Sequence, residues 1–265
     1  MKKDFLNIII EEKKKEVMLA HCVISESKLK KEVNNYKGRE IRPFFKALEK
    51  KEKGKVNIIA EVKRASPSKG DINIDLDPSI LALEFENGGA AAISVLTDTK
   101  FFKGSFEDFT DVRNVSSIPM LRKEFIISTY QIYESYMLGA DAVLLIAKVL
   151  PKEKLKELYQ LSKSLGMDVL MEVNNMEDLE KAMYTDAKLI GINNRNLNNF
   201  NTDTNTSIRL GQLLNKDQVA IAASGIANKQ DIEKSLKAGI HNFLIGESIA
   251  RSKDKVNFLK NLVNH

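Results

Sequence analysis

Two periodicities alternate along the chain. Short apolar runs rich in Val, Ile and Leu, flanked by turn residues, alternate with longer runs whose apolar positions recur about every 3.6 residues. The short runs predict strands at Val56–Glu61, Ala91–Leu96, Ile118–Arg122, Ala142–Ile146, Asp168–Glu172, Leu189–Asn193, Val219–Ala223 and Asn242–Ile245. They are continuously apolar, as strands buried on both faces should be. The longer runs predict helices at Pro78–Asn87, Phe106–Val115, Thr129–Leu138, Lys152–Leu165, Met176–Thr185, Thr204–Leu214, Lys229–Lys237 and Lys255–Leu262. Two further helical patterns, Phe5–Ala20 and Pro43–Lys50, precede the first strand.

Element ends are readable as well. Asp77 before Pro78 is a cap followed by proline at the first helical position. Gly139 and Gly239 each follow a helical run and precede a strand, as helix stops do. Regular βα repetition predicts an α/β fold, a closed (β/α)8 TIM barrel with an N-terminal helical extension. Its 265 residues suit one such domain spanning 1–265, with about residues 1–52 packed on the barrel as the extension. The competing open, doubly wound sheet binds nucleotides through a glycine-rich first turn. No GxGxxG or GxxxxGK[ST] occurs here.

Composition narrows the setting. Charged residues make up 29% and hydrophobic ones 43%, ordinary values for a globular protein. Cys22 is the sole cysteine, so no intramolecular disulfide is possible. The opening MKKDFLNIIIEEKKK breaks its apolar run too early for a secretory signal, and no stretch approaches a membrane span. A cytoplasmic monomer is expected. The net charge is +5, but lysines are interleaved with acids, the pattern of solvated helix faces rather than of a nucleic-acid surface. The excess suits a small anionic substrate; neither nucleic acid nor membrane is expected as a partner.

In such a barrel the chemistry lies where strands end. The first strand runs into Glu61 and Lys63, two apart and so on one face. Lys123 follows the third, on the face of Leu121; Glu172 ends the fifth; Asn193 and Arg195 share a face after the sixth. Unpaired charge is costly to bury, so such a group is either internally paired or kept for a charged ligand. The seventh and eighth strands end in Ser224-Gly225 and Gly246-Glu247-Ser248. Small residues there, and a short helix from Glu247 to Arg251, suit a phosphate. The histidines are scattered and no HExxH is present, so no metal site is expected. Ser224 lies outside a GxSxG turn and has no histidine base. Phe101-Phe102 reads equally as core packing or as the wall of an aromatic substrate's site.

These residues and their surroundings resemble the indole-3-glycerol-phosphate synthase family of tryptophan biosynthesis. The matching segments are IIAEVKRASPSKG, GGAAAISVLTDTKFFKGS, LRKEFIIS, QIYESYMLGADAVLLI, LMEVNN, IGINNRNL, SGI and FLIGESI, between about Phe5 and Leu262. The resemblance implies a lyase without cofactor or metal. It would convert 1-(2-carboxyphenylamino)-1-deoxyribulose 5-phosphate to indole-3-glycerol phosphate, carbon dioxide and water. It implies Lys123 as general acid, Glu172 and Lys63 in dehydration, and Glu61 as the group that orients the lysines. It also implies substrate contacts at Ser66, Phe125, Asn193 and Arg195, and a phosphate cradle of Ser224, Gly225, Gly246 and Ser248. Lys123, near a second lysine at a buried rim, is expected to lose proton affinity. One departure stands out: the family usually has Glu-Ser-Gly-Ile after strand seven, and here the first position is Ala223. Two rivals remain: a Schiff-base lyase or aldolase using Lys123 or Lys63, and a phosphate-ligand-binding barrel without activity. Docking to another enzyme of the pathway is not legible.

Overall fold

The computed structural model describes residues 5–36, 39–49, 55–196 and 200–264. Eight parallel strands close into a barrel: β1 (Asn57–Val62), β2 (Ala92–Leu96), β3 (Met120–Lys123), β4 (Ala142–Ile146), β5 (Asp168–Val173), β6 (Leu189–Asn193), β7 (Val219–Ala223) and β8 (Asn242–Ile245). Closure is made by β1, whose Ile59 pairs with Ala92 of β2 on one side and Leu244 of β8 on the other.

The continuous apolar runs are explained by two distinct cores. Ile59, Leu121, Leu144, Leu170, Leu189 and Leu244 fill the barrel interior. Their immediate neighbours, among them Ile58, Val143, Val169, Ile190 and Phe243, point outward under the helices. A strand that buries both faces needs no polar positions until its carboxyl end, and polar residues appear there.

The outer helices follow the strands in order. Asp77 caps Pro78–Asn87 by accepting from the amides of Ser79 and Ile80. Gly139 and Gly239 take φ of 97° and 81°, the left-handed turn that ends a helix cheaply only with glycine. Strand β3 starts two residues later than its apolar pattern. Pro119 has no amide proton for the ladder, and Ile118 gives its carbonyl to Arg42 instead.

The N-terminal segment touches the barrel at both ends and along one side. Helix α1 (Phe5–Val23) places Leu6 and Ile9 in the interior cluster, and Phe5 packs edge-on against Phe101 and Phe200. Helix α2 (Glu26–Asn35), absent from the sequence expectations, lays Leu29 and Val33 against Tyr130 and Tyr133. Helix α3 (Phe44–Glu49) plugs the amino-terminal end with the fully buried Phe44 and Leu48. Asp168, at the start of β5, accepts from the amide of Phe45 at 2.8 Å. The expected helix end at Lys50 lies outside the described residues.

Candidate active site

The carboxyl ends of the strands surround a cavity partly open to solvent. Every site residue singled out from the sequence lines it: Glu61, Lys63, Ser66, Lys123, Phe125, Glu172, Asn193, Arg195, Ser224, Gly225, Gly246 and Ser248. Alternation along the strands accounts for this. Two residues beyond Ile59, Leu121 and Leu170 in the interior come Glu61, Lys123 and Glu172 at the rim.

The ionic side chains form one alternating chain. Lys63 Nζ donates to Glu61 Oε1 at 2.5 Å, and Lys123 Nζ lies 3.5 Å from Glu61 Oε2 and 3.8 Å from Glu172 Oε2. Asn193 Nδ2 donates to Glu172 Oε1 at 3.1 Å, and its own Oδ1 accepts from the amide of Arg195 at 3.0 Å. The carboxylates are 5% and 6% exposed, so each depends on its partners rather than on water.

This arrangement corrects one expectation. Lys123 does not lose proton affinity. Burial works against its charge, but Glu61 and Glu172 outweigh burial and raise its pKa above the ordinary lysine value. The neighbouring lysine that was expected to depress it is engaged by Glu61. Burial likewise opposes the charge of Glu61, yet Lys63 and Lys123 hold its pKa at about 2.

The part of the rim between β6 and β1 is built from the turns after β7 and β8. Ser224 and Gly225 both adopt positive φ, 66° and 78°. A Cβ on Gly225 would also meet Thr202 at 2.6 Å. Ser248 Oγ donates to the carbonyl of Ile226 at 3.0 Å and joins the two turns. Gly246 has a further reason to be glycine: a Cβ there would sit 2.6 Å from Glu61 Oε1. Ala223 pairs with Asn193 and Leu244 and lines the cavity with a methyl group.

Several lining residues escaped the sequence. Arg195 donates to Ser68 Oγ and lies 3.7 Å from Glu247, which is itself 3.6 Å from Lys69. Glu247 was legible as part of a short helix, and that helix is present at Glu247–Arg251. Its reach across to Lys69 and Arg195 depends on tertiary structure. The Phe101-Phe102 ambiguity resolves into one role each. Phe101 packs on Phe5, whereas Phe102 lines the cavity 6.0 Å from Phe125, ring centre to ring centre. Phe200 also lines it, from an irregular loop that carries no periodic signal.

A closed parallel barrel with paired lysines and carboxylates at its carboxyl mouth defines an enzyme of the (β/α)8-barrel class. Solved structures agree on the fold. N-acetylmannosamine-6-phosphate 2-epimerase from Clostridium perfringens superposes with a TM-score of 0.61 at 13% identity, over 80% of this chain and 93% of that one. Thiamine phosphate pyrophosphorylase from Pyrococcus furiosus gives 0.57 at 15% identity, over 79% and 94%. Sequence comparison is more specific. The profile of the indole-3-glycerol phosphate synthase family matches residues 6–262. The synthase of Desulfosudis oleivorans is 49% identical over 98% of both chains, and that of Syntrophobacter fumaroxidans 46% over 95% of this chain and 94% of its own. The synthase of Aliarcobacter butzleri is 41% identical over 98% and 99%. This chain belongs to the indole-3-glycerol phosphate synthase family.

Proposed function

We propose that the chain converts 1-(2-carboxyphenylamino)-1-deoxyribulose 5-phosphate to indole-3-glycerol phosphate, with Lys123 as the general acid. The observation that carries this reading is the placement of the Lys123 ammonium between Glu61 and Glu172. Two carboxylates keep it protonated at neutral pH, so it enters the reaction with a proton to give. The carboxyl-bearing ring carbon attacks the sugar ketone, and Lys123 protonates the ketone oxygen as the new carbon–carbon bond forms. Loss of carbon dioxide returns the bonding electrons to the ring and restores aromaticity. The resulting hydroxyl then leaves as water. Lys63 donates the proton that departs with it, while Glu172 stabilises the cationic intermediate and accepts the ring-side proton. Glu61 keeps both lysines aimed at the cavity.

In the same reading Phe125 walls the aromatic ring and Ser66 meets its carboxylate. Asn193 and Arg195 position the sugar, and Ser224, Gly225, Gly246 and Ser248 cradle the phosphate. The lack of side chains at Gly225 and Gly246, both lining the cavity, supports the last assignment, because glycine lets backbone amides approach a ligand closely. The reading also holds the chain to be a cytoplasmic monomer acting on a small molecule, not on nucleic acid, with extension and barrel folding as one domain.

The fluorescence assay for indole-3-glycerol phosphate tests it. Wild type turns over, and Lys123→Ala loses at least about two orders of magnitude in kcat while still folding. Near-normal turnover of that variant removes Lys123 from the mechanism. A wild type that binds the product but never forms it leaves a binding protein instead.

A further inference from the structure

We infer that Lys13 is a positioning residue for this reaction: from helix α1 its buried ammonium fixes Asp98 and Glu124, and through them two aromatic walls and the backbone that carries Lys123. The inference rests on the proposed role of Lys123 and assigns a function to a group outside the catalytic chain.

Lys13 is 3% exposed. Its Nζ lies 2.9 Å from Glu124 Oε1, 3.1 Å from Asp98 Oδ2 and 2.5 Å from Glu16 Oε2. Three segments remote in sequence therefore meet at one charge: α1, the end of β2 and the end of β3. Each buried carboxylate also accepts from backbone amides at the cavity. Asp98 Oδ1 accepts from the amides of Phe101 and Phe102, at 2.8 and 3.2 Å, and so sets the short helix that presents Phe102. Glu124 Oε1 accepts from the amide of Phe125 at 2.7 Å, and its Oε2 from Thr97 Oγ1 at 2.8 Å. Glu124 lies between Lys123 and Phe125 in the chain, so moving its carboxylate moves both neighbours.

Anchoring alone does not require this centre. Leu6 and Ile9 already bury α1 against the interior core, and buried ion pairs contribute little net stability compared with apolar packing. What they specify is geometry. Arg122 is committed to Glu134 at 2.7 Å and stands 3.9 Å from Glu124, so it does not replace Lys13. Among the described residues, Asp98 Oδ2 accepts no hydrogen bond and its one ion-pair partner is Lys13. Without that charge, Asp98 Oδ2 is left buried with no ion-pair partner among the described residues, a costly arrangement that displaces the carboxylate.

The test uses the full chain with two variants, Lys13→Met and Glu124→Gln, assayed for kcat and KM beside circular-dichroism melting. At a temperature where melting curves show folded protein, Lys13→Met lowers kcat and raises KM, each at least fivefold. The kcat change reports a displaced Lys123, and the KM change displaced walls. Glu124→Gln keeps the side-chain shape and leaves Lys13 with Asp98, and it changes both constants in the same direction. A purely structural Lys13 lowers the melting temperature and leaves kcat and KM of the folded protein within twofold of wild type; that result overturns the inference. If Lys13→Met does not fold, Glu124→Gln decides on the same criterion. Wild type is assayed in parallel: an inactive wild type brings down the proposed function and this inference with it, whereas an active wild type with unchanged variants brings down this inference alone.

Discussion

Glu61 accepts from Lys63, faces Lys123, and occupies the space that a side chain at residue 246 would need. Its pKa of about 2 lies below the ordinary 4.5, so its ionised form stabilises the fold. The sign is that of a depressed acid: the contribution is complete above pH 4.5 and is lost as pH falls toward 2. It amounts to a few kcal/mol. Urea titrations of wild type and Glu61→Gln therefore show a stability gap at neutral pH that narrows between pH 4.5 and 2. A gap that stays constant with pH contradicts the ion-pair account. Lys123 has the opposite sign: its contribution is complete below the ordinary 10.5 and is lost as pH rises through its elevated value. The family resemblance implies a glutamate where this chain has Ala223. Glu61 and Glu172 supply carboxylates to the lysines, so wild type is expected to turn over without a third acid. Ala223→Glu is expected to change kcat/KM by less than tenfold, checked by steady-state assays across pH. Many of these residues were visible in the sequence because they interrupt apolar strands at their carboxyl ends. The proton affinity of Lys123 was not, because its sign depends on which neighbour lies nearer, and sequence order does not give that.

At the scale of elements, the barrel strands were legible because both of their faces are buried, which leaves an unbroken apolar run. Helix ends were legible where a side chain or glycine satisfies orphan backbone groups, as at Asp77 and Gly139. Helix α2 was not legible: ESKLKKEVNN has only Leu29 and Val33 as apolar positions, too few for a periodic signal. The hairpin of Ala65–Ser66 with Gly70–Asp71 is too short to carry any period. Helix α3 was read as a packed extension, and its two fully buried side chains show what it packs. Removing one has a known scale: Phe44→Ala is expected to cost about 3–5 kcal/mol of unfolding free energy, since Phe44 is fully buried in the interior cluster. Chemical denaturation checks this, and a loss below about 1 kcal/mol would mean that α3 is not part of the core.

For the whole molecule, closure of the sheet is what makes a site. Residues as distant as Lys63 and Glu247 share one cavity only because β1 pairs with β8. Repetition in the sequence predicted that closure. Contacts between loops, such as Arg195 with Ser68 or Glu247 with Lys69, were beyond it because each joins loops whose spacing is set by the barrel. The central claim is that a proton-transfer chain and a phosphate cradle share one mouth and act on one substrate. A crystal structure of the wild-type chain with indole-3-glycerol phosphate tests it most directly. The account places the phosphate against the turns at Ser224–Gly225 and Gly246–Ser248, with the indole beside Phe125 and the Lys123 ammonium at the ring-closure carbon. Product bound elsewhere, or turned with its phosphate toward Glu61 and Glu172, contradicts it.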